Sequence, residues 1–216
     1  MRVELHCHTL YSKDSLISLP ALLSTCQRKG IQRLAITDHN SIRGALRAQE
    51  LDPQRVIVGE EIATRSGELL AFFVREEVPP GLPCEEAIAR LRGQGAFISV
   101  AHPFDRFRSG HWHLSDLERI ASLVDAIEVF NARCLWPGFN RQAQVFANAH
   151  ALPGTVGSDA HAFFEVGRAC LLLPNFQDAA SLKEVLPQAV AQVSLSPPWA
   201  HLASRYAAWR KKLDGI

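Results

Sequence analysis

Met1-Arg-Val-Glu-Leu-His6-Cys-His8-Thr-Leu-Tyr-Ser-Lys-Asp14 is a short strand that runs straight into two histidines and then an acid. Residues two apart on an extended strand point to the same side, so His6 and His8 can present ring nitrogens to one cation. The spacing alone equally suits two imidazoles that bond neighbouring carbonyls at a strand end. Ligand-type residues then recur at the ends of later apolar runs, as Asp38-His39, Glu60-Glu61, His102 and Asp159-Ala-His161. The recurrence predicts a frame that carries ligands at its strand ends.

Outward from this stretch, strand and helix signals alternate. Ser18-Leu-Pro20 through Gly30 has a cap, a first-turn proline and a closing glycine, the marks of a helix. Arg33 to Thr37 reads as a strand, Ser41 to Leu51 as a helix, and Val56-Ile-Val58 as a strand that ends on Gly59-Glu60-Glu61. Leu69 to Val74 is another apolar run, Cys84 to Arg92 a helix, and Phe97 to Ala101 a strand before His102-Pro103. Phe104 to His113 has no apolar period and reads as a loop, a candidate lid that carries Arg106, Arg108, His111 and His113. Ser115 to Leu123, Asn140 to His150 and Ala179 to Gln188 read as helices, and Ala126 to Phe130, Pro153 to Val156 and Ala169 to Leu173 as strands. The alternation predicts an α/β fold with a largely parallel sheet, and six or seven units in a chain of 216 residues suit a small barrel. A closed barrel also gathers the polar strand ends at one rim, where an open sheet would spread them.

The length suits a single domain. Lys and Arg total 23 against 22 Asp and Glu, a net charge of +1 that gives no global field for nucleic acid or membrane. The five cysteines are odd in number and never spaced as Cys-x-x-Cys, which argues against a disulfide framework and a zinc ribbon and points to a reducing compartment. No apolar run reaches the length of a membrane span, and Arg2, Glu4 and His6 interrupt the first residues, so a cytoplasmic location is expected.

His6-Cys-His8, Thr37-Asp38-His39, Gly59-Glu60-Glu61, His102-Pro103 and Gly157-Ser-Asp159-Ala-His161, in this order, resemble the successive motifs of the PHP (polymerase and histidinol phosphatase) family. Ala101-His-Pro-Phe-Asp105 and Ile127-Glu-Val-Phe-Asn-Ala-Arg133 resemble its stand-alone phosphoesterase branch. The resemblance covers roughly residues 1 to 190 and implies a distorted (β/α)7 barrel over 1–190, with two or three divalent metal ions (Mn, Fe or Zn) at its C-terminal rim. It implies a first metal at His6, His8, Glu61 and Asp159, with Glu61 bridging to a second held by His102 and Glu68. A third would sit at Asp14, His39 and His161. Many family members carry histidine where this chain has Glu68, so the second site is one negative charge richer.

The implied activity is hydrolysis of a phosphate ester by metal-bound hydroxide, on a small phosphorylated metabolite or nucleotide. Asp38, His39 and His161 are candidates for moving protons, with Asp38 alternatively an acceptor that orients an imidazole. Arg133 and Arg168 follow rim motifs, where a guanidinium fork would grip phosphate or else close a salt bridge. Alternative functions are a 3′,5′-nucleotide or short-RNA hydrolase, an amidohydrolase, whose usual bridging lysine is missing, and a non-catalytic metal-binding module. No stable nucleic-acid partner and no membrane are expected, and monomer or homo-oligomer is left open. His150 and His201 read as surface residues. In the tail, residues 191–216, Trp199, Leu202, Tyr206, Trp209 and Leu213 have helical spacing, which predicts a helix packed on the barrel, with a dimer contact as the alternative.

Overall fold

In the computed structural model nine strands form one sheet, β1 (Arg2–Glu4), β2 (Arg33–Ile36), β3 (Val56–Ala63), β4 (Glu68–Phe72), β5 (Phe97–Val100), β6 (Ala126–Asn131), β7 (Gly154–Gly157), β8 (Ala169–Leu172) and β9 (Val190–Val193). Residues 1–108 and 110–215 are described, Asp214 by its backbone alone; Ser109 of the loop and Ile216 of the tail lie outside them. The strand order is β7-β6-β5-β4-β3-β2-β1-β8-β9. Beyond the strand ends, Cys7 bridges Ala160 and the His8 amide donates to the Ala160 carbonyl at 2.9 Å, so the sheet curls into a nearly closed barrel.

Among the described residues there are seven α-helices, six between strands and one after the last: α1 (Leu19–Arg28), α2 (Arg43–Leu51), α3 (Cys84–Gly93), α4 (Leu114–Ile120), α5 (Pro137–Ala149), α6 (Ala179–Val185) and α7 (Ala200–Asp214). Strand residues alternate between two cores, as a pleated strand requires. Val3, Leu5, Ala35, Ile57, Leu70 and Phe72 pack with Phe176 and, from the α6 region, Leu182 and Leu186. Leu34, Ile36, Val58, Leu69 and Ile98 pack instead with Leu22, Ala45 and Leu91 of the outer helices.

The sheet departs from uniform parallel pairing at two places. Between β3 and β4 there are only four residues, too few for a crossover helix. The Thr64 amide bonds the Gly67 carbonyl at 2.9 Å, and β4 runs antiparallel to both β3 and β5. On the other side of β1, β8 and β9 are antiparallel as well. β9 is missing from the sequence reading because all four of its residues are exposed, which leaves no apolar alternation to detect. The sheet thus runs to Val193. No helix among the described residues is long and apolar enough to cross a membrane.

The tail forms α7, which packs on the barrel through Ala200, Ala207 and Lys211, all buried. The expected packing face is corrected: Trp199, Leu202, Tyr206, Trp209 and Leu213 point to solvent, because the small residues of the opposite face allow the closer approach.

Candidate metal centre

Strand ends build the rim. The residues after β1 include His6 and His8, His39 follows β2, β3 itself carries Glu61, His102 follows β5, and Asp159 and His161 follow β7. Because β4 is antiparallel, its first residue rather than its last reaches this rim, and that residue is Glu68. Asp14 joins from the turn after β1. The structure therefore brings all nine ligand-type residues into one cluster.

Glu61 is its hub. One carboxylate oxygen lies 2.9 Å from His102 Nε2 and 3.4 Å from His6 Nε2, and the other 2.9 Å from His39 Nδ1 and 3.3 Å from His8 Nε2. Asp159 Oδ1 sits 3.2 Å from His8 Nε2 and 3.6 Å from His6 Nε2. Glu68 approaches His102 Nε2 at 3.6 Å, and Asp14 Oδ2 lies 3.3 Å from His161 Nε2 and 3.5 Å from His39 Nε2. Ligand atoms fall within 4.8 Å of one another in four sets, one of them His6, His8 and Glu61, and another His39, Glu61 and Glu68.

Five buried atoms of the cluster, His6 Nε2, His8 Nε2, Glu61 Oε2, Asp159 Oδ1 and Asp14 Oδ1, make no well-directed hydrogen bond among the described residues, close as the charged neighbours of the first four are. Such groups normally find one, since an orphaned buried polar atom costs about 1–3 kcal/mol. Converging orphaned imidazole nitrogens and carboxylate oxygens are what a divalent cation satisfies, and the mixed set suits manganese, iron or zinc. Asn40, His102 and Asp159 also hold left-handed backbone angles, with φ of 52°, 23° and 51°. Strain of this kind persists where the surroundings fix a working geometry.

Charge in the cluster is balanced by protons. Burial opposes charging His6, yet Asp159, Glu128 and Glu61 hold its pKa well above the ordinary value. Burial likewise opposes ionisation of Glu61, but His6 and His39 hold its carboxyl well below the usual range. His8 is pushed down to about 3 by burial and by the charges of His161 and His39, so its ring is neutral and ready to donate a lone pair. Glu68 is raised by burial and by Glu61. A cation taking the place of these protons would release them, so metal affinity should fall as pH falls.

Further residues hold the ligands. Glu128, an acid inside an apolar strand, accepts from His6 Nδ1 at 2.8 Å and from the His102 amide at 2.8 Å, which turns His6 Nε2 toward the cluster. Glu4, fully buried and raised to about 7 by burial, ties the ends of β1 and β7 by accepting from the Ser158 amide at 3.0 Å and the Gly167 amide at 3.1 Å. Glu128→Gln is expected to weaken metal binding by about 10–100-fold while the fold is kept. Isothermal titration with manganese checks this, and unchanged affinity would remove Glu128 from the support of His6.

Of the two roles expected of Asp38, the geometry suits the orienting one. Its carboxylate accepts from the Thr9 amide at 2.7 Å, Thr9 Oγ1 at 2.6 Å and Ser12 Oγ at 2.5 Å, and it is fully buried. Both oxygens are taken, which fits an acceptor that orients its surroundings better than a mover of substrate protons: Asp38 holds Ser12, which lies 3.1 Å from His8 Nδ1.

A cleft of about 750 Å³ opens over the cluster, lined by Asp14, His39, Glu68, Arg108, Arg133 and His161 among others. A second cleft of about 640 Å³, beside Arg33 and Arg55, contains no histidine. Arg133 is buried, donates to Ser204 Oγ at 2.8 Å and has Nη1 unpaired. Arg168 needs a correction. It donates to the carbonyls of Phe164 at 3.5 Å and Leu195 at 3.2 Å and does not line the cleft, because it precedes β8, which flanks β1 outside the ring of ligand-bearing strand ends.

The arginine that does reach the cluster is Arg108, paired with Asp159 Oδ2 and, at 3.2 Å, with Asp105. In the sequence it stands in an aperiodic loop, and with Arg106 and Arg133 it gives only a hint of a basic stripe leading to the rim. That loop is not a free lid, since Trp112 is buried and its Nε1 donates to the Glu68 carbonyl at 3.2 Å. His111 bonds the Arg108 carbonyl at 2.9 Å, and neither it nor His113 lines the cleft. His201, expected at the surface, is half-buried, lies 3.0 Å from the Arg133 carbonyl and lines the cleft.

Known proteins share this architecture. The PHP domain model matches residues 4–76, and the model described as PHP-associated matches residues 137–188. An uncharacterised protein of Methanocaldococcus jannaschii, MJ0417, is 40% identical over 172 residues, 78% of this chain and 69% of its own. Among solved structures, PsfC from Pseudomonas syringae superposes with a TM-score of 0.69 at 21% identity, covering 98% of both chains. A candidate metal-dependent phosphoesterase from Bifidobacterium adolescentis gives a TM-score of 0.64 at 18% identity, covering 87% of this chain and 96% of its own. At such identities the two structures speak for the fold, while the domain models and the archaeal relative speak for descent. On these grounds the chain belongs to the PHP family.

Proposed function

We propose that the protein is a metal-dependent phosphoesterase. The observation that carries this reading is the set of orphaned imidazole and carboxylate atoms converging beneath a cleft that also presents Arg108 and Arg133. His6, His8, Glu61 and Asp159 would hold one cation, Glu61, His102 and Glu68 a second, and Asp14, His39 and His161 a third. Bound divalent cations supply Lewis acidity toward a phosphoryl oxygen and acidify water to near neutrality.

The chain's own residues do the rest. Arg133, with Nη1 unpaired, suits an anionic phosphoryl oxygen. Arg108 neutralises Asp159 and stands beside the same cleft. His39 and His161 flank Asp14 at the cleft wall, and when these three hold no cation an imidazole there can exchange a proton with the leaving group. The arginines favour an anionic ester over the neutral amide of an amidohydrolase, and a cluster that keeps a ligand-capable residue at every expected position argues against a non-catalytic module.

The test is reconstitution of metal-free protein with manganese, iron(II) or zinc. Turnover is then followed on a phosphate monoester, a phosphodiester and an anilide. Metal-dependent cleavage of a phosphate ester with no cleavage of the anilide is expected, and Arg133→Ala should raise KM roughly tenfold or more with unchanged metal content. Cleavage of the anilide alone, or equal activity without metal, sinks the reading.

A further inference from the structure

α7 shows solvent a stripe that its own barrel touches at Trp199, beside Phe164, and otherwise leaves exposed. Trp199, at the helix start, and Leu202, Tyr206, Trp209 and Leu213 recur at spacings of three and four and are each between 55% and 63% exposed. The helix is nevertheless firmly held. Lys211 is buried and donates to the carbonyls of Leu10 and Ser12, both at 2.5 Å, and His201 and Ser204 bond Arg133 on the same side. The stripe is therefore the far side of a docked helix.

A strict alternation of three and four is the spacing of a seam between two packed helices, narrower than the stripe of a helix that faces a domain core. At these exposures the five side chains offer about 600 Å² of surface, as much as the largest apolar patch on a typical monomer. Phe164, whose ring centroid lies 4.4 Å from that of Trp199, extends it.

We propose that this stripe is the contact between two copies of the chain, paired about a two-fold axis with their α7 helices antiparallel. A two-fold sets the same patch against itself, so one stripe serves as both halves of the interface. Two copies would cover about 1,200 Å² together, the lower end of what specific interfaces use. Arg205 and Lys212 flank the stripe at its edge, where exposed like charges are screened and cost little. Since His201, Ser204 and Arg205 also line the cleft, pairing would fix one wall of each active site.

Sedimentation velocity of the full chain across micromolar concentrations tests this. The wild type is expected to be a dimer, and Leu202→Glu combined with Trp209→Glu a monomer with unchanged circular dichroism and melting. Tyr206→Cys should join into a covalent dimer with a short bis-maleimide. The wild type should not, since its five cysteines are all buried. A wild type that stays monomeric, a double variant that stays dimeric, or an uncrosslinked Tyr206→Cys overturns the proposal. So does a monomer whose stripe is instead needed to bind a single-stranded oligonucleotide or anionic vesicles.

Discussion

Glu61→Gln is expected to lower phosphoester turnover by roughly 10³-fold or more and to remove at least one equivalent of bound metal, with the fold intact. Lewis acidity and water activation are worth several kcal/mol at such a centre, and each 1.36 kcal/mol is a factor of ten. Glu61 contacts His6, His8, His39 and His102 through its two oxygens, so one carboxylate joins four imidazoles. Glutamine keeps the shape but loses the charge that draws cations. Metal analysis beside turnover on a phosphodiester decides it; a variant that keeps full metal and full activity would show that Glu61 bridges nothing.

Gly157→Ala should destabilise the protein by about 3 kcal/mol, the upper part of the range for overpacking. At this size that lowers the melting temperature by roughly 10 °C. A Cβ on Gly157 would lie 2.3 Å from the Cβ of His6 and 2.4 Å from Glu128 Oε1. Neither neighbour can give way cheaply, because His6 is fixed to its strand and Glu128 holds its imidazole. Metal affinity should therefore fall together with stability. A melting curve that overlays the wild type would mean that β1 and β7 are less tightly apposed than described.

Much of this centre was legible because strand ends announce themselves: an apolar run that stops on His, Asp or Glu places that residue at a rim once the sheet closes. His6, Glu61, His102 and Asp159 all followed that rule. Arg168 did not, since a residue that precedes a strand beside a motif gives no sign of whether the strand continues the ring or flanks it. Arg108 was obscure for the opposite reason, as a loop has no period to fix its direction, and only the burial of Trp112 turns the loop toward Asp159. The exposed stripe of α7 was misassigned because helical spacing reveals a face without revealing what meets it. Antiparallel β4 was hidden in an apolar run that either direction would satisfy.

Lys211 anchoring the turn at Leu10 and Ser12, with His6 and Asp159 meeting at one rim from opposite ends of the chain, has a consequence for biogenesis. As the chain leaves the ribosome, His6, His8, His39 and Glu61 emerge about 100 residues before Asp159, an interval of roughly 5–20 s at ordinary translation speeds. In that interval three imidazoles and a carboxylate are in contact with cellular cations before the barrel that shapes their pocket exists. Metal selection by geometry begins only after β7 has joined the sheet. Expression in media of different manganese and zinc content is expected to change the metal recovered with the protein, which metal analysis checks.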